Sequence, residues 1–234
     1  MTTIGVIPAR KGSKGIKNKN LAIINNKPLL QYSIDSACNS ELLDHIVLTT
    51  DCPKIMRLGA DLGISYIRER PAELATDEAS MSATLLDALV WLQLEHGIES
   101  EVVVLLQPTS PLRLSTDIDG AIGNLTTEFD SVIAVNQVQE HPFECVEIAA
   151  NGEWSYLAEP DFEVNRRQEY SKNFYYINGA IYVVRRKFFV ESQRLISEKS
   201  GFYEMPRNRS VDIDYQEDLD HAEFLLGKEI LSGT

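Results

Sequence analysis

From Pro8 to Asn20 the chain reads PARKGSKGIKNKN, and Arg10, Lys11, Lys14, Lys17 and Lys19 crowd around Gly12 and Gly15. Glycines let a backbone approach a ligand closely, successive N–H groups can form an anion nest, and lysines supply mobile positive charge. Clustered like charges repel, so a bound anion relieves them, and a triphosphate is a natural occupant. A solvated basic loop is the plainer alternative. The stretch matches neither G-x-x-x-x-G-K-[ST] nor G-x-G-x-x-G.

Near the other end, SVDID spaces Asp212 and Asp214 two residues apart. In a strand these carboxylates share one face while Val211 and Ile213 turn to the core. Such a pair suits Mg²⁺, which binds through one or two carboxylates plus substrate phosphates. Alternatively, Asp214 caps the last helix and Asp212 is a surface charge. Together, the basic loop and the carboxylate pair point to metal-assisted phosphoryl chemistry.

Two other stretches carry polar tools. In LLQPTSPLR, two prolines fix an extended loop after an apolar run, with Gln107 able to read a base or hydroxyl edge and Thr109, Ser110 and Arg113 nearby. The plain reading is a rigid turn. In RPAELATDEAS, Arg70 faces an anion or base, and Ser80 either joins it or caps the following helix.

The elements that must position these residues alternate in type. Ile4–Ile7, Ile46–Thr49, Ile64–Ile67, Val102–Leu106 and Ser131–Val135 read as strands. LLQYSIDSA after Pro28, Lys54–Leu62, and Met81–Leu94 with Leu85, Leu89 and Leu92 on one face read as helices. Thr116 and Asp119 have the spacing of a capping box. From about Gln137 to Asn173 the pattern breaks down into a long irregular insertion of the kind used for lids or oligomer contacts. NGAIYVV returns as a strand, Lys187–Ser192 as a helix, and SVDIDYQEDLDHAEFLL as a strand running into a final helix. This order predicts an α/β fold with a mostly parallel sheet covered on both faces, and ligands at the carboxyl ends of its strands. The basic loop follows the first strand.

With 234 residues, 44% of them hydrophobic, the chain fits one sizeable domain. A net charge of -13 argues against nucleic acid as a partner, which needs a broad basic face. Cys38, Cys52 and Cys145 fit neither a disulfide framework nor a zinc spacing. The N-terminus lacks the charge and apolar pattern of a signal peptide, and no apolar run is long enough to span a bilayer. A soluble cytoplasmic protein without a membrane partner is the expectation.

IPARKGSKGIKNKNL, RPAELATDEAS, LLQPTSPLR, NGAIY and SVDID occur in this order from Ile7 to Asp214. In this the chain resembles the acylneuraminate cytidylyltransferases, also called CMP-sialic acid synthetases. The resemblance implies a three-layer α/β/α sandwich of the nucleotide-diphospho-sugar transferase type, spanning 1–234 as one domain. It also implies a homodimer, with the insertion at 137–175 reaching the partner's site. The implied reaction joins CMP from CTP to the anomeric hydroxyl of an acidic nine-carbon sugar and releases pyrophosphate, with Mg²⁺ as cofactor. By similarity, Arg10, Lys14, Lys19, Asn20, Arg70, Ser80 and Gln107 bind the nucleotide, and Asp212 and Asp214 bind the metal. Arg10, Lys19, Asp212 and Asp214 form the catalytic set. Gln107, Arg166, Arg167 and Tyr182 are the sugar candidates, an Arg meeting the sugar carboxylate bidentately; Tyr182 reads equally as core. No basic residue stands directly before NGAIY, the nearest being Lys172, so N-acetylneuraminic, legionaminic and pseudaminic acids all remain as substrates. Activation of the eight-carbon acid KDO, or nucleotide binding without catalysis, are the alternatives. His141 reads as an ordinary loop residue.

Overall fold

Continuous apolar runs become strands buried on both faces. Every residue of β1 (Thr3–Pro8) and β6 (Val102–Leu106) is buried. In the computed structural model, which describes residues 1–158 and 172–232, these two lie side by side at the centre of a seven-stranded sheet. Its other members are β4 (His45–Thr50), β5 (Tyr66–Glu69), β7 (Ser131–Gln137), β10 (Tyr175–Arg185) and β11 (Ser200–Glu204), in the order β11-β7-β10-β6-β1-β4-β5. β10 runs antiparallel to both its neighbours; the other pairings are parallel. Two short strands, β2 (Ile23–Ile24) and β3 (Lys27–Pro28), form a separate ribbon ahead of the first helix.

The period of two along the strands sorts side chains into two cores. Val102, Val104 and Leu106 pack on one face, with Ile34 and Ala37 of α1 (Leu29–Cys38), Ile55 of α2 (Pro53–Asp61) and Ile118 of α4 (Ser115–Gly123). Val103 and Leu105 pack on the other, with Leu85, Leu89 and Leu92 of α3 (Met81–His96) and Phe189 of α5 (Arg186–Ser192). Helices on both faces of a mostly parallel sheet make the expected three layers. A smaller core of Ile24, Leu29, Leu112, Ile213, Leu219 and Ala222 seats α6 (Gln216–Ser232) beside the start of α1.

Several expectations need correction. SVDID is not a strand: Val211–Ile213 are irregular, joined to the sheet layer by a hydrogen bond from the Ile213 N–H to the Thr109 carbonyl at 2.9 Å. The third strand is Tyr66–Glu69, not Ile64–Ile67, because Gly63 at φ +88° and Ile64 complete the turn out of α2. β11 is an additional strand; its sequence SGFYE is too short and mixed to carry a signal. Thr116 and Asp119 do not start α4. The helix begins at Ser115, Asp117 accepts from the Leu114 N–H at 2.9 Å, and Asp119 instead takes the Ser40 hydroxyl at 2.5 Å. The irregular insertion contains a hairpin of β8 (Val146–Ile148) and β9 (Trp154–Tyr156), and β10 begins at Tyr175, before NGAIYVV. Residues 159–171, with Arg166 and Arg167, lie outside the described residues.

Candidate active site

The loop after β1 folds over the carboxyl ends of the central strands. Asn18 takes the left-handed region at φ 55°, which asparagine tolerates better than most residues, and this turns the chain into a 3-10 segment at Lys19–Leu21. The Ser13 hydroxyl donates to the Ile16 carbonyl, and Asn20 Nδ2 donates to the Arg10 carbonyl at 2.9 Å. The loop is closed on itself before any ligand arrives. Gly15 is its tightest point, since a Cβ there would overlap the backbone carbonyl oxygen of Asp214. Gly12, by contrast, has open space around it.

A cavity of about 470 Å³ lies under this loop. Arg10, Lys14, Lys19, Asn20, Arg70, Gln107 and Asp214 all line it, together with Thr109 and Tyr215. Seven of the predicted residues, from four distant stretches, therefore meet in one place. The lining holds four cations and one carboxylate, so the excess of positive charge is concentrated inside a protein whose net charge is -13. Such a cavity suits a polyanion.

Backbone carbonyls hold two of the cations, Lys19 and Arg70, and a carboxylate holds the other two, Arg10 and Lys14. Lys19 Nζ donates to the Ile213 carbonyl at 2.6 Å and meets Asp214 at 3.0 Å, with the side chain only 12% exposed. Arg70, 6% exposed, donates to the Thr49 carbonyl at 2.9 Å. Burial pulls the Arg70 guanidinium down to about 10, with Asp51 opposing, so it remains charged at neutral pH. Arg10 meets Asp77 at 2.6 Å.

Asp212 is the most unusual carboxylate of the group. One of its oxygens, Oδ1, is buried without a hydrogen-bond partner, and so is the neighbouring Thr109 hydroxyl oxygen. Its other oxygen faces Gly179, whose missing Cβ would stand 3.7 Å from Oδ2 and 4.0 Å from Gln107 Oε1. Gly179 has φ +74° and sits where β10 shifts register between Ile177 and Tyr182, an irregularity of the kind that bends a strand. Burial pushes the Asp212 carboxyl up from its ordinary value; the Thr109 hydroxyl, near it but without a well-formed hydrogen bond, and Lys19 oppose this, while Asp214 adds to it. A buried, unpartnered carboxylate oxygen beside a second carboxylate is a donor set suited to a hard cation.

The segment carrying Asp212 and Asp214 is held from three sides. Asn178 Nδ2 donates to the Ser210 hydroxyl at 3.1 Å, and the Asn178 side-chain oxygen accepts from the Ala180 N–H at 3.1 Å. Arg209 pairs with the fully buried Asp117 at 2.7 Å, and Tyr203 donates to the same carboxylate at 3.2 Å. Asp218 accepts from the N–H groups of Asp214 and Tyr215 at 2.9 and 2.8 Å, so Asp218, not Asp214, caps the last helix.

Other predicted residues fall elsewhere. Ser80 caps α3, accepting from the Ala83 N–H at 3.1 Å, and its successor Met81 lines the cavity in its place. Tyr182 is half-buried in the β10 layer and outside the lining; burial, then Asp212, push its hydroxyl up. Arg113 is not a surface tool. It is 2% exposed, drawn down to about 9 by burial, and donates to the Ala180 carbonyl at 2.6 Å and to the Gln107 carbonyl at 3.1 Å. It thereby ties the strand end bearing Gln107 to the strand bearing Gly179. His141 stacks edge-on with Phe143 and Phe174. Sequence reasoning missed Asp77, Asn178 and Asp218. Only Asp218 left a local signal, an acid in the first turn of the last helix.

The chain is 33% identical over 221 residues to the N-acylneuraminate cytidylyltransferase of Escherichia coli O18:K1:H7, covering 94% of this chain and 51% of that protein. This chain thus spans about half the length of that relative. It is 31% identical to the CMP-N,N'-diacetyllegionaminic acid synthase of Legionella pneumophila, covering 92% of this chain and 91% of the relative. Among solved structures, a CMP:2-keto-3-deoxy-manno-octonic acid synthetase complexed with CTP superposes with a TM-score of 0.69 at 18% identity, covering 98% of this chain and all of the other. At that identity the likeness speaks for the fold. The family model described as cytidylyltransferase matches residues 4–232, and on that match the chain belongs to the cytidylyltransferase family.

Proposed function

We propose that the protein transfers CMP from CTP to the anomeric hydroxyl of a nonulosonic, sialic-type acid, releasing pyrophosphate. The observation that carries this reading is a four-cation cavity whose lining includes Asp214, with Asp212 half-buried two residues away and outside the lining itself. Arg10, Lys14, Lys19 and Arg70 bind the triphosphate, Asn20 holds the loop closed, and Gln107 faces the junction of nucleotide and sugar. The sugar hydroxyl attacks the α-phosphorus, forming the new P–O bond and giving up its proton to water as the bond to the β-phosphate oxygen breaks. The leaving pyrophosphate gains charge that the cations neutralise, Lys19 and Arg70 being already held in place by backbone carbonyls.

Asp212 and Asp214 are the residues that would hold Mg²⁺, and the unpartnered Oδ1 of Asp212 fits that role. Once bound, the ion supplies positive charge to the phosphate oxygens at the reacting centre. Relatives named for sialic and legionaminic acids support a nine-carbon acid over KDO, whose synthetase resembles this chain in fold. The presence of both the cations and the carboxylates supports catalysis over mere nucleotide binding.

The test is pyrophosphate release from CTP and Mg²⁺ with N-acetylneuraminic, legionaminic, pseudaminic and KDO acids supplied separately. Release with one nine-carbon acid is expected; release with KDO alone, or with none, refutes the reading. In the same assay Lys19→Ala raises the KM for CTP and lowers kcat/KM by about tenfold or more, since a charged hydrogen bond contributes roughly 1.5–3 kcal/mol. Parental kinetics would remove Lys19 from the phosphate site.

The whole chain serves as one domain, and its inserted region supports a homodimer. Ile148, Trp154 and Leu157 are 70%, 59% and 66% exposed, and Tyr176 at the start of β10 is 60% exposed. Large apolar side chains left in water in this number mark an interaction surface. Gel filtration with light scattering should give twice the chain mass, and Trp154→Asp should shift it toward the monomer; a parental monomer would end the proposal. Three free thiols favour the cytoplasm; among the described residues no helix is long and apolar enough to cross a membrane.

A further inference from the structure

Two of the cations in the cavity share an internal carboxylate. Arg10 Nη1 lies 2.6 Å from Asp77 Oδ1, and Lys14 Nζ lies 3.8 Å from Asp77 Oδ2. Asp77 comes from the segment between the 3-10 turn Ala72–Leu74 and α3, far from the loop in sequence. Each oxygen takes one cation, as two phosphate oxygens would.

We propose that Asp77 competes with phosphate for Arg10 and Lys14, so that a polyphosphate binds by exchange and pyrophosphate leaves against a built-in replacement. The inference rests on the proposed use of this cavity for the phosphates of CTP. Its other cations are committed differently: Lys19 to the Ile213 carbonyl and Asp214, Arg70 to the Thr49 carbonyl. Among the described residues, only Arg10 and Lys14 form an ion pair with a side chain that contributes nothing to the lining.

The pair is built to exchange. Asp77 is 45% exposed and Lys14 is 77% exposed, and ion pairs so open to water are weak and easily replaced. A triphosphate brings more charge and more acceptor oxygens than one carboxylate, so it prevails, but against a cost. Pyrophosphate meets the same cost, and Asp77 can retake the cations as it departs. Hydrogen bonding from Arg10, with Lys14 adding, holds the Asp77 carboxyl below its ordinary value, so the competitor is ionised throughout the neutral range.

Titration calorimetry on the full chain, without sugar acid, tests this with CTP, inorganic pyrophosphate and cytidine. Asp77→Asn, which keeps the shape and removes the charge, should bind CTP and pyrophosphate about three- to fivefold more tightly, the scale of an exposed ion pair. Cytidine, which has no phosphate, should bind as it does to the parent, and Asp77→Glu should stay near the parent for all three ligands. In turnover, pyrophosphate should inhibit Asp77→Asn at correspondingly lower concentration. Unchanged affinity for CTP and pyrophosphate overturns the proposal. Weaker affinity also overturns it, and makes Asp77 an orienting partner of the cations. Failure of the parent to bind CTP would count against the proposed function, while the pyrophosphate arm would still decide the role of Asp77; binding of neither overturns both.

Discussion

Asp212→Asn reduces pyrophosphate release by about 10²-fold or more, the scale on which removing one charge-stabilising group acts on kcat, while the fold survives. The reason is the position of the carboxylate: half-buried, one oxygen unpartnered, facing Gly179 and Gln107. Burial raises its pKa, so between the ordinary and the raised value the folded chain keeps a proton that the unfolded chain has lost. The ionised carboxylate therefore costs stability. That cost sets in as pH rises through this window and is present in full above it. Asparagine carries no such charge. In metal-free buffer at neutral pH the variant should melt at or above the parental temperature, and the difference should shrink below the ordinary carboxylate range. Added Mg²⁺ should raise the parental melting temperature and leave the variant's unchanged. Near-parental turnover, or a variant that melts well below the parent, would remove Asp212 from the metal site.

Gly15→Ala is expected to lower kcat/KM by about 10²-fold, because displacing catalytic groups by roughly 1 Å costs that much. The new methyl would overlap the Asp214 carbonyl oxygen, a backbone atom that cannot swing aside as a side-chain tip does. Either the cationic loop lifts, carrying Lys14 and Lys19 with it, or the Asp212–Asp214 segment retreats. Both break the register between the groups that hold phosphate and those suited to a metal. Steady-state kinetics with CTP varied, beside a melting curve, checks this. Gly12→Ala, at a position with open space around it, should cost far less. Equal effects at the two glycines would mean that loop flexibility, not close approach, is what Gly15 supplies.

Much of the site is legible in the sequence, because its residues lie in short stretches whose chemistry is local. A basic, glycine-bearing loop after the first apolar run identifies itself, and parallel-sheet logic puts its ligand at the strand ends. Arg70 and Gln107 follow from the same logic, each sitting just beyond a strand. Less is legible where a side chain serves the fold. Ser80 has the same hydroxyl whether it caps a helix or meets a ligand, and only the 3.1 Å bond from Ala83 identifies the cap. Arg113 stands beside Thr109 in the same polar stretch, yet the packing of α1 and β10 around it makes it an internal tie.

By itself the sequence determined the class of fold, through apolar runs alternating with helical periods, and the location of positive charge in an acidic chain. It also determined that two carboxylates stand two residues apart, though not how their segment is held. A strand would have placed them on one face by its pleat; instead an irregular segment is pinned by Asn178, Lys19 and Asp218, residues 34, 193 and 6 positions from Asp212 in the chain. The partnership of Asp77 with Arg10 and Lys14 was likewise settled only in three dimensions. Periodicity and capping are short-range consequences of backbone geometry, readable within a few residues. Pairings between distant charges depend on how packed layers bring the loops at their edges together, and that is decided only when the whole chain has folded.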